Sequence, residues 1–148
     1  MKTLPVDADR QSIIGLLEEW TELLAQEKYA EALDLLPPDP DQNWTPELLE
    51  SDVYGYGLPG CTREEIERDF GSADYKVTSL RDCPDREKIL RMLDVSYFTP
   101  KGRPDELGMV HYECVPLNGE MSDLTGIFYL KKVSDTAMVL EFHDLHVM

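Results

Sequence analysis

Apolar residues in the N-terminal third recur at the spacing of an amphipathic helix. Ile13, Leu16, Leu17, Trp20, Leu23 and Leu24 follow an i, i+3, i+4, i+7 pattern, which gathers them on one stripe. Glu18, Glu19 and Glu22 fall mainly on the other side. Asp7 or Asp9 can cap this helix, which begins near Arg10. A second helix is predicted over Lys28 to Leu36, with Tyr29, Ala32, Leu33 and Leu36 on its apolar stripe. Pro37-Pro38-Asp39-Pro40 ends it, because proline lacks the amide donor and biases the residue before it away from helix. Thr45-Pro46-Glu47 reads as an N-cap followed by proline at the first helical position, opening a helix that carries Leu48 and Leu49 and stops near Val53. Tyr54-Gly55-Tyr56-Gly57-Leu58-Pro59-Gly60 is a breaker-rich loop holding two aromatic residues. Thr62-Arg63-Glu64-Glu65 forms a capping box for a helix that buries Ile66 and Phe70 and stops at Gly71.

The second half changes period. Strands are predicted over Tyr75–Leu80, Lys88–Phe98, Leu107–Val115, Leu124–Val133 and Thr136–Val147. In the second of these, Ile89, Leu93, Val95 and Tyr97 take one face, and Leu90, Met92 and Phe98 the other. Turns are expected at Pro100–Asp105, at Asn118-Gly119 and at Ser134-Asp135. Short connections between long strands imply an antiparallel meander. Both faces of the last two strands are largely apolar, which fits helices on one side and a second contact, such as a dimer interface, on the other.

Length and composition narrow the class. The chain has 148 residues, 42% hydrophobic and 30% charged, enough for one ordinary core. With no internal repeat or long linker, residues 1–148 read as a single α+β domain. No apolar run reaches the length of a membrane span, and no secretory signal is visible at Met1–Asp7. The net charge is −16, and it is uneven: residues 1–72 carry −12 of it, and residues 73–148 carry −4. That balance disfavours phosphate-driven binding to nucleic acid and attachment to an anionic membrane, since both need a basic face. It leaves a solubilising surface, or an acidic patch for a basic protein partner. Cys61, Cys83 and Cys114 are odd in number and widely spaced. They match no zinc or redox motif and point to a reducing, cytoplasmic setting, the alternative being one disulfide plus a free thiol. No phosphate-loop, dinucleotide-binding, nucleophile-elbow or zincin motif occurs, so no cofactor and no metal are expected.

Three stretches carry a family resemblance. Leu23-Leu24-Ala25-Gln26-Glu27-Lys28-Tyr29-Ala30-Glu31-Ala32-Leu33, Gly57-Leu58-Pro59-Gly60-Cys61-Thr62-Arg63-Glu64-Glu65-Ile66, and the closing Leu124–Leu130 with Met138–Val147 resemble the first helix junction, glycine loop and last hairpin of the nuclear transport factor 2-like superfamily. This superfamily is also called SnoaL-like or ketosteroid isomerase-like. The resemblance implies N-terminal helices packed in the concave face of a curved antiparallel sheet, a cone with an apolar pocket, and frequent dimerisation through the outer face. Its members include isomerases, dehydratases, hydrolases, pure binding domains and toxin-neutralising immunity proteins, so the fold alone fixes no activity. The helix at Thr45–Val53 departs from the commonest pattern, where short strands often sit.

Isomerase-like chemistry needs a carboxylate base facing a hydrogen-bond donor inside an apolar cavity. Asp94, His111 with Glu113, and His143 beside Glu141 are the candidates, with Tyr97, Tyr112 and Tyr129 as donors to an oxyanion. Strand alternation generates such pairs in any sheet, and the alternative is that they are solvated outer-face positions. His143 and His146, three apart on a strand, fall on opposite faces unless a bulge intervenes. Trp20, Tyr54, Tyr56, Tyr97 and Tyr129 are the candidate pocket residues, against ordinary core packing and loop anchoring. Glu18, Glu19, Glu22, Glu27, Glu31, Glu64 and Glu65 form the candidate acidic partner surface, against a merely solvated helix face. Two readings follow. One is a non-catalytic binding domain, such as an acidic immunity-type inhibitor of a basic toxin. The other is a small-molecule pocket protein or enzyme that takes a small apolar ligand.

Overall fold

Asp9 starts the first helix: its carboxylate accepts from the Ser12 amide at 2.9 Å, satisfying one of the free donors of the first turn. The computed structural model describes residues 1–55, 63–70, 75–97 and 105–147. In chain order the elements are β1 (Leu4–Pro5), α1 (Arg10–Ala25), α2 (Tyr29–Leu35), α3 (Pro46–Tyr54), α4 (Arg63–Phe70), α5 (Arg86–Met92), β2 (Asp94–Tyr97), β3 (Glu106–Tyr112), β4 (Leu124–Lys132) and β5 (Ala137–Val147). Thr62 of the capping box, Tyr56, Cys61, the side chains of Ile66 and Phe70, and most of the turn before Asp105 lie outside the described residues.

α1 ends in a Schellman motif. The Lys28 amide donates to Leu23 O at 2.8 Å and the Glu27 amide to Leu24 O at 3.0 Å, which puts Glu27 at φ 59. That left-handed position favours glycine. Glu27→Gly is therefore expected to raise stability by about 0.5 kcal/mol, the relief of strain being partly offset by the freer unfolded chain and by loss of the acceptor for the Tyr54 hydroxyl, 3.4 Å from Glu27 Oε1. A urea midpoint that falls would contradict this. α3 opens as expected, with Thr45 Oγ1 accepting from the Leu48 amide at 3.1 Å and Pro46 in the first turn.

The five strands form one antiparallel sheet in the order β1-β5-β4-β3-β2, curled into a half-barrel. This is the α+β class expected. The pairing Val110↔Phe128 and Phe128↔Phe142 defines the inner face, and Trp20 of α1 fills it. Its ring centroid lies 5.1 Å from that of Phe128, 5.6 Å from Phe142 and 6.4 Å from Tyr112. The Tyr112 hydroxyl meets Thr21 Oγ1 at 2.9 Å; burial pushes that phenol far above its usual pKa, although the Thr21 bond opposes the shift. Gly108 lets β2 and β3 approach closely, since a Cβ there would run into the Ser96 carbonyl.

Two strand expectations are corrected. Residues Lys88–Phe98 are not one strand: α5 runs to Met92 and β2 begins at Asp94. The Ile89–Leu93 spacing of four suits both a strand face and one helical turn, and the Leu93 amide in fact donates to Ile89 O at 3.1 Å. Tyr75–Leu80 joins no ladder; Val77 makes one isolated bridge to Leu117. The Asn118-Gly119 turn does form. Both residues have positive φ, 50 and 85, and Leu117 and Glu120 exchange backbone bonds of 2.9 and 3.1 Å across it.

β5 carries a bulge. Phe128 pairs with Phe142 and Ile127 with Asp144, so His143 is the extra residue. The bulge resets the alternation, which lets Phe142 and Leu145, three apart, both be buried. The chain from Pro37 to Trp44 docks there. The Phe142 amide donates to Pro37 O at 2.8 Å, the Asp39 amide to Phe142 O at 2.8 Å, and the Trp44 indole to His143 O at 3.0 Å.

Candidate functional site

The outward positions of the sheet hold most of the polar chemistry. Asp94, Ser96, Met109, His111, Thr125, Ile127, Tyr129, Lys131, Val139, Glu141, Asp144 and His146 alternate with the inward residues or, after the bulge, stay in phase with them. All three histidines of the chain lie on this side, each near a carboxylate. His111 Nδ1 is 4.0 Å from Asp94, across β2 and β3. His143 Nδ1 is 3.1 Å from Asp39, and its ring stands edge-on to Tyr129 with centroids 5.0 Å apart. His146 Nδ1 is 2.8 Å from Asp144. The bulge thus corrects the expectation that His143 and His146 fall on opposite faces. Burial works against the Asp39 carboxylate, but the Asp41 amide and the His143 ring outweigh it and hold its pKa below the usual value. Lys131 and Glu141 pair at 3.2 Å on the same side.

The expected pocket residues do not converge. Trp20 is wholly buried in the core and Tyr54 nearly so, with its hydroxyl 3.4 Å from Glu27 Oε1. Tyr129 lies on the outer face, and Tyr97 is 58% exposed on edge strand β2. The candidate acid–base residues Asp94, His111 and His143 are likewise outside, and Glu113 is set at the end of β3. None of the four faces the Trp20 cluster.

The acidic surface is smaller by one member. Glu18 is nine-tenths buried, and its carboxylate takes Arg81 at 3.0 Å and Arg86 on its other oxygen. It is a structural ion pair, because an unpaired buried charge would be costly. Glu27, Glu31 and Glu64 are exposed; Glu19, Glu22 and Glu65 are half-buried. Glu19 pairs with Lys2 at 2.7 Å and Glu22 accepts from Gln26 at 3.1 Å.

No family model, curated protein or solved structure matches this chain. Among the described residues, no group of three or more metal-ligating side chains comes together, and no helix is long and apolar enough to cross a membrane. A depression of about 210 Å³ lies at the far end of the β3–β4 pair, lined by Met92, Glu113, Cys114, Asp123 and Thr125.

Sequence reasoning passed over two groups. Asp39 was legible only as part of a helix-stopping proline run. Asp52, on α3, is 4% exposed, and its Oδ1 has no hydrogen-bond partner among the described residues. Burial, and then the field of Asp144, push its pKa up to about 7. Its signal was present in the spacing: Leu49, Asp52 and Val53 are at i, i+3 and i+4, and all three are buried.

Proposed function

We propose that this chain is a non-catalytic binding domain of nuclear transport factor 2-like type that recognises a basic protein partner. An immunity-type inhibitor covering the cleft of a basic toxin is its concrete form. The observation that carries this reading is where the chemistry sits. The concave side, where a ligand would be held, is occupied by Trp20 against Tyr112, Phe128 and Phe142, while Asp94, His111 and His143 face outward. Recognition then falls to the exterior, and the exterior of a chain with a net charge of −16 attracts basic surfaces. Glu27, Glu31, Asp34, Glu64, Glu67 and Asp69 are all exposed on or beside the helices.

The competing reading, an enzyme, has one observation in its favour. Asp52 is a buried carboxyl with a pKa near neutrality, a property common at catalytic sites. The charge acting on it is that of a second carboxylate, Asp144, which would oppose an oxyanion rather than steady it.

Capture from native lysate with the tagged protein, washed at low and then high salt, separates the two. The binding reading expects one stoichiometric basic protein that salt releases. An extract that yields no such protein, together with a small apolar compound that raises the melting temperature, would replace it with the pocket reading.

A further inference from the structure

The Asn118-Gly119 turn carries chemistry of its own. An asparagine followed by glycine can cyclise, because glycine has no side chain to block the approach to its backbone nitrogen. Both residues are exposed, and both sit at positive φ. The segment Lys76–Thr78 lies against them. The Lys76 amide donates to Asn118 Oδ1 at 3.0 Å, and the Asn118 amide donates to Lys76 O at 2.9 Å. The Gly119 amide donates to Thr78 Oγ1 at 2.7 Å. Between these, Val77 bridges Leu117, and both side chains are buried. One three-residue segment thus holds the side chain and the backbone nitrogen that would have to react with each other.

We propose that Asn118 is a deamidation site and that Thr78 guards it. In the reaction the Gly119 nitrogen gives up its proton and attacks Asn118 Cγ. The new N–Cγ bond closes a succinimide ring, the Cγ–Nδ2 bond breaks, and Nδ2 leaves as ammonia with a proton in place of that one. Water, the only co-reactant, then opens the ring at one of its two carbonyls and leaves aspartate or isoaspartate. The Thr78 bond opposes the first step, since it must break before the Gly119 proton can leave. The Lys76 bond pins the side chain but also draws electron density from Cγ, so its two effects oppose each other. Thr78 acts in one direction only. The reaction therefore waits for segment 76–78 to open locally. The two products then part ways. Aspartate keeps an acceptor for the Lys76 amide. Isoaspartate adds a carbon to the backbone of a two-residue turn, which breaks the Leu117–Glu120 pairing and keeps the segment from docking again.

The test ages the full chain in mildly alkaline buffer and follows conversion of each asparagine by peptide mass mapping, with isoaspartate counted by enzymatic carboxyl methylation. The probe for the unguarded motif is the acetylated amide of Pro-Leu-Asn-Gly-Glu-Met, copied from Pro116–Met121. Conversion is expected at Asn118 and not at Asn43, which has a similar positive φ but precedes Trp44. Wild type should react roughly tenfold more slowly than the peptide. Thr78→Val should speed the reaction about fivefold, the worth of one hydrogen bond, and should speed amide exchange at Gly119 with it. Thr78→Ser, which keeps the oxygen, should stay near wild type. A wild-type rate equal to that of the peptide, or conversion of Asn43 as fast as that of Asn118, would overturn the proposal. So would faster Gly119 exchange in the valine variant without faster conversion, or no conversion of Asn118 in any variant. The first two outcomes need only wild type, so they decide the matter even where the valine variant fails to fold.

Discussion

Replacing Asp52 by asparagine is expected to stabilise the protein at pH 8 and to leave it nearly unchanged at pH 4. The folded-state pKa of about 7 stands against an ordinary value of 3.8. Well below the ordinary value of 3.8 the carboxyl is protonated in both folded and unfolded chains, so it contributes no pH-dependent difference there, and near pH 4 only a small one. As pH rises toward 7, the unfolded chain ionises first and the folded chain still holds its proton, so stability falls. The gap of about three units corresponds to an upper limit of about 4 kcal/mol. Asp9 and Asp39, whose pKa values are lowered in the fold, act in the opposite direction, which is why the comparison must be made against wild type at each pH. Asparagine keeps the shape and cannot ionise beside Asp144. Urea unfolding of both proteins from pH 4 to 8 checks this, and parallel curves would show that Asp52 ionises freely.

The second large effect belongs to Trp20. Truncating it to alanine is expected to cost about 3–5 kcal/mol, the range for removing a buried aromatic from a packed core, because its ring touches three others and it has no exposed surface. Phenylalanine should cost much less. The Trp20 indole N–H has no hydrogen-bond partner among the described residues, so Trp20→Phe removes an unsatisfied donor along with some volume. The alanine variant should also regain stability in saturating indole, which can refill an apolar cavity. Equal losses for alanine and phenylalanine, or no response to indole, would mean that the ring does not seal the concave face.

Much of this architecture was legible because local signals agreed with one another. Asp9 and Thr45 announce helices with capping chemistry that needs no tertiary context, and Asn118-Gly119 announces a tight turn through backbone freedom alone. Leu124–Val133 and Thr136–Val147 read as strands, and β4 and β5 fall within a residue of those bounds. Ile89 and Leu93 misled, since a spacing of four is common to both periods. The partners of the outer face were not legible at all. Asp94 and His111 become neighbours only once the β2–β3 register is fixed, and Asp39 reaches His143 only because the proline segment docks across the sheet edge. Glu18 looked like one more solvated helical acid until Arg81 and Arg86, more than sixty positions away, closed over it.

The bulge at His143 has a consequence for insertions and deletions. If that residue were deleted, Phe142 would be followed directly by Asp144 and Leu145, and plain alternation would still send the phenylalanine in, the aspartate out and the leucine in. The hydrophobic interior therefore has no need of it. What would be lost is the Asp39 contact of its ring and the carbonyl that receives the Trp44 indole. The barrel wall is one residue longer than its own core requires, and the surplus residue works as a clasp for the segment outside.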